Sequence, residues 1–183
     1  MKSTIGIIAG SLRREAFSKK IAEAVIKMAP KNFEFKMVSI DDLPLYKQDF
    51  DMENEPKTYA PFRKKIENLD GIIFITPEHN RSVPAALKNA IDIASRPHGK
   101  NKWDGKPGAV FSSSPGNISG FGANHHLRQS LSFLNIPVMQ QPEVYLAKID
   151  KSLDEKGNLT DKRTLEFLQK AVDAYIVWFE KNK

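Results

Sequence analysis

The stretch GIIFITPEHNRSVPAALKNAID, residues 71–92, decides the fold. After Gly71, the run Ile72-Ile73-Phe74-Ile75 is too short for a helix and rich in β-branched residues, as in a strand buried on both faces. Thr76-Pro77 stops it, because proline has no N–H to give to a ladder. Ser82 stands at a helix N-cap position, Pro84 in the first turn, and AALKNAIDIA continues with helical spacing. A buried strand, a polar turn and a helix in that order describe a parallel α/β sheet. In such sheets, ligands bind at the carboxyl ends of the strands.

Working outward, the same alternation recurs. Residues 3–9 form a first strand and residues 17–28 a helix with Phe17, Ile21, Ala22, Val25 and Met28 on one stripe. Phe33, Phe35 and Met37, extending toward Ser39, alternate as a second strand. A long loop over 41–56, anchored by Leu43-Pro44-Leu45-Tyr46, leads to a helix near 58–69. Beyond the central unit come a fourth strand at 106–113, a glycine-rich connection, and a helix near 123–134. A fifth strand is expected at 136–139, extended by 142–147, before a last helix near 160–181. Five such units predict a three-layer, flavodoxin-like α/β fold. Its five-stranded parallel sheet has order 2-1-3-4-5 and helices on both faces, in one domain over residues 1–183.

Composition narrows the function. The chain has no cysteine, which excludes thiol nucleophiles, iron–sulfur clusters, cysteine-ligated zinc and disulfides. The first apolar run is too short for a signal peptide, and no stretch approaches the roughly 20 apolar residues that span a bilayer. A cytoplasmic protein without a membrane segment is expected. The net charge is +6, but the lysines are scattered among acids and no basic run is interleaved with aromatics. The expectation is therefore no nucleic acid and some attraction for anionic small molecules.

Three polar loops follow strands one, three and four, neighbours in the expected order, so they should meet. In GSLRREAFS, residues 10–18, Ser11, Arg13 and Ser18 stand where a helix begins, and free N–H groups there favour an anion. An arginine fork suits phosphate, whereas Glu15 places a negative charge nearby. Neither G-x-G-x-x-G nor G-x-x-x-x-G-K-[ST] occurs, so one phosphate, as in flavin mononucleotide (FMN), fits better than a pyrophosphate. Pro77, Glu78, His79 and Asn80 form the second loop, although Asn80 and Ser82 are equally suited to capping the next helix. Ser112, Ser113 and Gly116 belong to the third. The adjacent His125 and His126 make a poor metal pair, and no metal site is expected.

On GSLRREAFSKK, TPEHNRSVPAALKNAID and SSSPG, the chain resembles the NADPH-dependent FMN reductases, which include quinone, azo-dye and chromate reductases. The resemblance implies FMN as cofactor, with NADPH or NADH as hydride donor and a quinone, azo, chromate or flavin acceptor. It implies that Ser11, Arg13 and Ser18 hold the FMN phosphate. Pro77, Glu78, His79 and Asn80 would lie against the isoalloxazine, with Ser112, Ser113 and Gly116 nearby. No protein nucleophile is needed, because the cofactor carries the chemistry. A homodimer or homotetramer is implied as well. Two positions depart from the family: Ala16 stands where a serine is usual, and His79 where a tyrosine is usual. The first is expected to loosen FMN; the second is expected to make the reaction pH-sensitive between about pH 5 and 8. The rival readings are a flavodoxin-like electron carrier and a non-catalytic nucleotide-binding module.

Overall fold

A computed structural model describes residues 2–183. Strands β1 (Ser3–Ala9), β2 (Phe33–Met37), β3 (Gly71–Thr76), β4 (Gly108–Ser113) and β5 (Val144–Leu146) form one sheet in the order β2-β1-β3-β4-β5. All four pairings are parallel. The connections carry helices α1 (Phe17–Lys27), α2 (Tyr59–Glu67), α3 (Ala85–Ser95) and α4 (Phe121–Phe133), and α5 (Lys162–Asn182) follows the last strand. No helix among the described residues is long and apolar enough to cross a membrane.

Every residue of β3 is buried, and its neighbours divide between two cores. Ile73 and Ile75 join α1 and α5 on one face, through Ile21, Val25, Leu168, Val172 and Phe179. Ile72 and Phe74 join α2, α3 and α4 on the other, through Phe62, Ile66, Leu87, Ile91, Leu127 and Leu131. Alternate side chains of a strand point to opposite faces, so an unbroken apolar run is what a doubly covered sheet requires. Each wholly buried isoleucine stabilises the fold by about 1.5–3 kcal/mol, so a polar side chain in this central strand would be costly.

The fifth strand lies later than the sequence reading puts it. Within the sheet, residues 136–139 bridge only to the start of β4: Gly108 N–H donates to Pro137 O at 3.0 Å, and Met139 N–H to Gly108 O at 2.8 Å. Pro137 has no N–H for a ladder, and the chain pairs again only at Val144–Leu146, against Phe111–Ser113. The second strand also stops short of Ser39, whose hydroxyl bonds Asp41 and turns the chain out of the sheet.

The loop after β2 is held from outside. Asn89 of α3 accepts the Tyr46 N–H at 2.8 Å and donates to Leu43 O and Pro44 O at 3.2 and 3.0 Å. Buried Arg63 of α2 donates to Ile93 O at 2.9 Å and pairs with Glu55, with Asp51 at 3.8 Å. Asn89, prominent in the sequence motif, is thus a fastening for this loop.

Candidate functional site

A cleft of about 540 Å³ opens at the carboxyl ends of β1, β3 and β4. All three polar loops reach it, as the sheet order demands.

The first wall is continuous in sequence. Gly10 N–H donates to Ile75 O at 2.8 Å, carrying the ladder one residue past β1. A Cβ on Gly10 would lie 2.9 Å from Leu87 Cδ2, so a larger residue here would have to displace the tip of that buried leucine of α3. Helix α1 then starts from Ala16 with no side-chain cap. Its first N–H groups therefore favour a bound anion. Ser11 Oγ accepts the Arg13 N–H at 3.3 Å. The Arg13 guanidinium lies 5.4 Å from the Phe17 ring centre and donates to Glu15 O at 2.9 Å, so this mostly exposed side chain is oriented rather than free. Ser18 is wholly buried beside the cleft, and its hydroxyl has no partner. Glu15 weakens the anion site less than its position suggests. Its carboxylate accepts a hydrogen bond from Lys20 at 2.8 Å, which holds its pKa below the ordinary carboxylate value and engages the charge.

The second wall is a tight hairpin. His79 and Ser82 exchange backbone hydrogen bonds of 3.0 and 2.8 Å. Asn80 and Arg81 between them have φ of 48° and 64°, the left-handed pair of a two-residue primed turn. Ser82 is therefore the hairpin's closing residue and not an N-cap: α3 starts from Pro84 without a side-chain cap, and Ser82 Oγ instead meets His126 Nδ1 at 3.0 Å. Pro77, Glu78 and His79 line the cleft, whereas Asn80 sits at the exposed tip of the turn, outside the lining. Pro84, Ala85 and Ala86 extend this wall, so a second uncapped helix N-terminus faces the cleft.

The third wall comes from the end of β4. Ser113 is buried with an unpartnered hydroxyl, and Ser114 and Pro115 complete the surface. Ser112 lies outside the lining; its hydroxyl donates to Val144 O at 3.4 Å and accepts from Asn124 Nδ2 at 3.2 Å. Gly116 also lies outside, its N–H donating to Ser114 Oγ at 3.0 Å. Sequence reasoning had Ser114 and Pro115 inside the third loop without singling them out, and it missed the Pro84–Ala86 segment, whose only signal was a proline at a helix start.

The cleft brings hydrogen-bonding groups and two uncapped helix starts together with walls of proline and backbone, a chemistry suited to an anionic ligand. This is the arrangement of a flavodoxin-like, mononucleotide-binding protein. Residues 3–151 match the NADPH-dependent FMN reductases, and the chain belongs to that family. It is 48% identical over 180 residues to a quinone reductase of Pseudomonas putida, covering 98% of this chain and 96% of that one. A 2-hydroxy-1,4-benzoquinone reductase of a Burkholderia species is 42% identical over 183 residues, covering both chains in full. The solved structure of FerB, a flavoenzyme NAD(P)H:(acceptor) oxidoreductase from Paracoccus denitrificans, superimposes with a TM-score of 0.90 at 38% identity over 98% of each chain. The chain is therefore an oxidoreductase that uses FMN and a reduced nicotinamide. Its own residues fit that cofactor: two buried hydroxyls without protein partners and two uncapped helix ends stand around one cleft.

Proposed function

We propose that this protein oxidises NADPH and reduces a small quinone-class acceptor, with FMN held in the cleft. The observation that carries the placement is the orphaned pair Ser18 Oγ and Ser113 Oγ. A buried hydroxyl without a partner costs about 1–3 kcal/mol, and a ligand bound in the cleft would supply the missing bonds. Ser11, Arg13 and Ser18, with the N-terminus of α1, would hold the phosphate. Pro77, Glu78, His79 and Ser113 would stand nearest the ring system, and Asn80, Ser112 and Gly116, outside the lining, are the weaker candidates. FMN supplies the two-electron chemistry when bound, and the protein binds it, orients it and limits water around it. Exposed His79 would lie at the ring end.

The quinone class is favoured over azo dyes and chromate by the relatives named for quinones. A homodimer or homotetramer is part of the same proposal, supported by exposed Ile118, Phe121 and Phe133. So are a cytoplasmic location and the absence of a nucleic-acid partner, since many lysines pair with local acids such as Glu67 and Asp92. Sedimentation at micromolar concentration would return a monomer if the assembly is wrong.

The deciding experiment is an anaerobic absorbance spectrum of the protein with FMN, before and after NADPH. The expected result is a flavin band that bleaches on NADPH and returns on adding a quinone. A band that persists would favour the electron carrier. No bound flavin would favour a module that binds another nucleotide.

A further inference from the structure

We propose that Glu78 is a positioning residue, holding the second and third walls of the cleft at a set separation by capping α4, and that Gly122 exists to permit this. The proposal rests on the placement of FMN given above. Glu78 Oε2 accepts the N–H of Ala123, the third residue of α4, at 3.1 Å across 45 residues of sequence. The N-cap residue before α4 is Gly120, which has no side chain to cap with, so the carboxylate supplies what the local sequence lacks. The other oxygen, Oε1, accepts from Arg81 Nη1 at 3.1 Å, and the Glu78 side chain is only 12% exposed. With both oxygens engaged, Glu78 orients the site rather than moving a proton.

The loop carrying Ser113, Ser114 and Pro115 runs directly into α4, so one carboxylate ties it to the hairpin carrying Pro77 and His79. A Cβ at Gly122 would lie 2.7 Å from Arg81 O, closer than real Cβ atoms approach, and a tight 3.0 Å from Glu78 Oε2. The backbone oxygen cannot swing aside as a side chain would, so any larger residue would push the hairpin off the helix. Ser82 Oγ and His126 Nδ1, 3.0 Å apart, attach the hairpin again one turn further along α4. Two attachments on one rigid helix fix both the distance and the angle of the wall.

The test compares Glu78→Ala, Glu78→Gln and Gly122→Ala in the full chain, by fluorescence titration with FMN and by amide hydrogen exchange. Glu78→Ala should bind FMN about tenfold more weakly and exchange faster at Ala123 and across His79–Ser82. Glu78→Gln retains an acceptor oxygen and should stay within about threefold of the parent. Gly122→Ala should resemble Glu78→Ala, although alanine is the better helix former. Unchanged FMN affinity in Glu78→Ala would overturn the proposal, as would Glu78→Gln as weak as Glu78→Ala. A parent protein that takes up no FMN would sink the reading of the cleft instead, and unchanged exchange at Ala123 would then overturn the clamp separately.

Discussion

The two ends of the cleft are built in opposite ways. The end proposed for the phosphate is one run of chain, Gly10 to Ser18, whose polar groups are placed by the turn they belong to and by the start of α1. The end proposed for the ring is assembled from β3, α3 and β4, and its walls are held by contacts between distant residues: Glu78 to Ala123 and Ser82 to His126. A local site tolerates change elsewhere in the fold but depends on each of its own few groups. An assembled site spreads its geometry over many residues, so loosening a fastening outside the lining damages it.

The largest effect expected from substitution at the phosphate end is that of Arg13→Ala. Losing a charge-assisted contact to phosphate should weaken FMN binding by about 1.5–3 kcal/mol, read by titration, with the fold intact because the side chain is mostly exposed. Unchanged affinity would remove Arg13 from the site. Next is Ser18→Ala, which separates binding from stability. The hydroxyl has no protein partner, so without ligand the variant should be more stable to urea by about 1 kcal/mol. Its FMN affinity should nonetheless fall by about tenfold. A change of the same sign in both would show that this hydroxyl serves the protein and not the ligand.

Ala16→Ser tests the phosphate end in the favourable direction. Ala16 is the uncapped N-cap of α1, has extended backbone and lines the cleft. A serine there can cap the helix or meet the phosphate, and either should add about 1 kcal/mol, to thermal stability without ligand or to FMN affinity with it. At the ring end, His79→Tyr is expected to change the rate of NADPH oxidation while leaving FMN affinity within about twofold. Identical rates for the two proteins would dissociate His79 from the reaction.

The smallest effect concerns Glu15. Lys20 holds its carboxyl pKa below the ordinary value, so the folded-state interaction is fully present above that ordinary pKa and is lost as pH falls through the lowered one. Lys20→Met should release the carboxylate toward the phosphate and weaken FMN by roughly twofold at neutral pH and low salt. The difference should fade in high salt and vanish in acid once Glu15 is protonated. A difference that persists in acid would assign the effect to the lost lysine instead.

Much of the fold was legible because it rests on nearest-neighbour properties of the chain. The buried run Ile72–Ile75, the stripe Ile21-Ala22-Val25 and the apolar face from Leu168 to Phe179 each reveal their element by spacing alone. Crossover geometry then restricted the order of the strands. Where the pattern was weak, the reading slipped: Ile136–Met139 looks as strand-like as Val144–Leu146, and only pairing with β4 distinguishes them.

The sequence by itself determined that this is a doubly covered parallel sheet with three polar loops at one edge. It also offered the first loop as a candidate phosphate site, because Ser11, Arg13 and Ser18 stand where a strand end, a turn and a helix start follow one another directly. Only the tertiary structure decided that Asn80, Ser112 and Gly116 lie outside the cleft lining, that Ser82 closes a hairpin, that Asn89 fastens a loop, and that Glu78 caps α4. Those roles depend on which donor meets which acceptor across tens of residues. Periodicity along the chain carries no information about such meetings; they exist only once the sheet has brought its loops together.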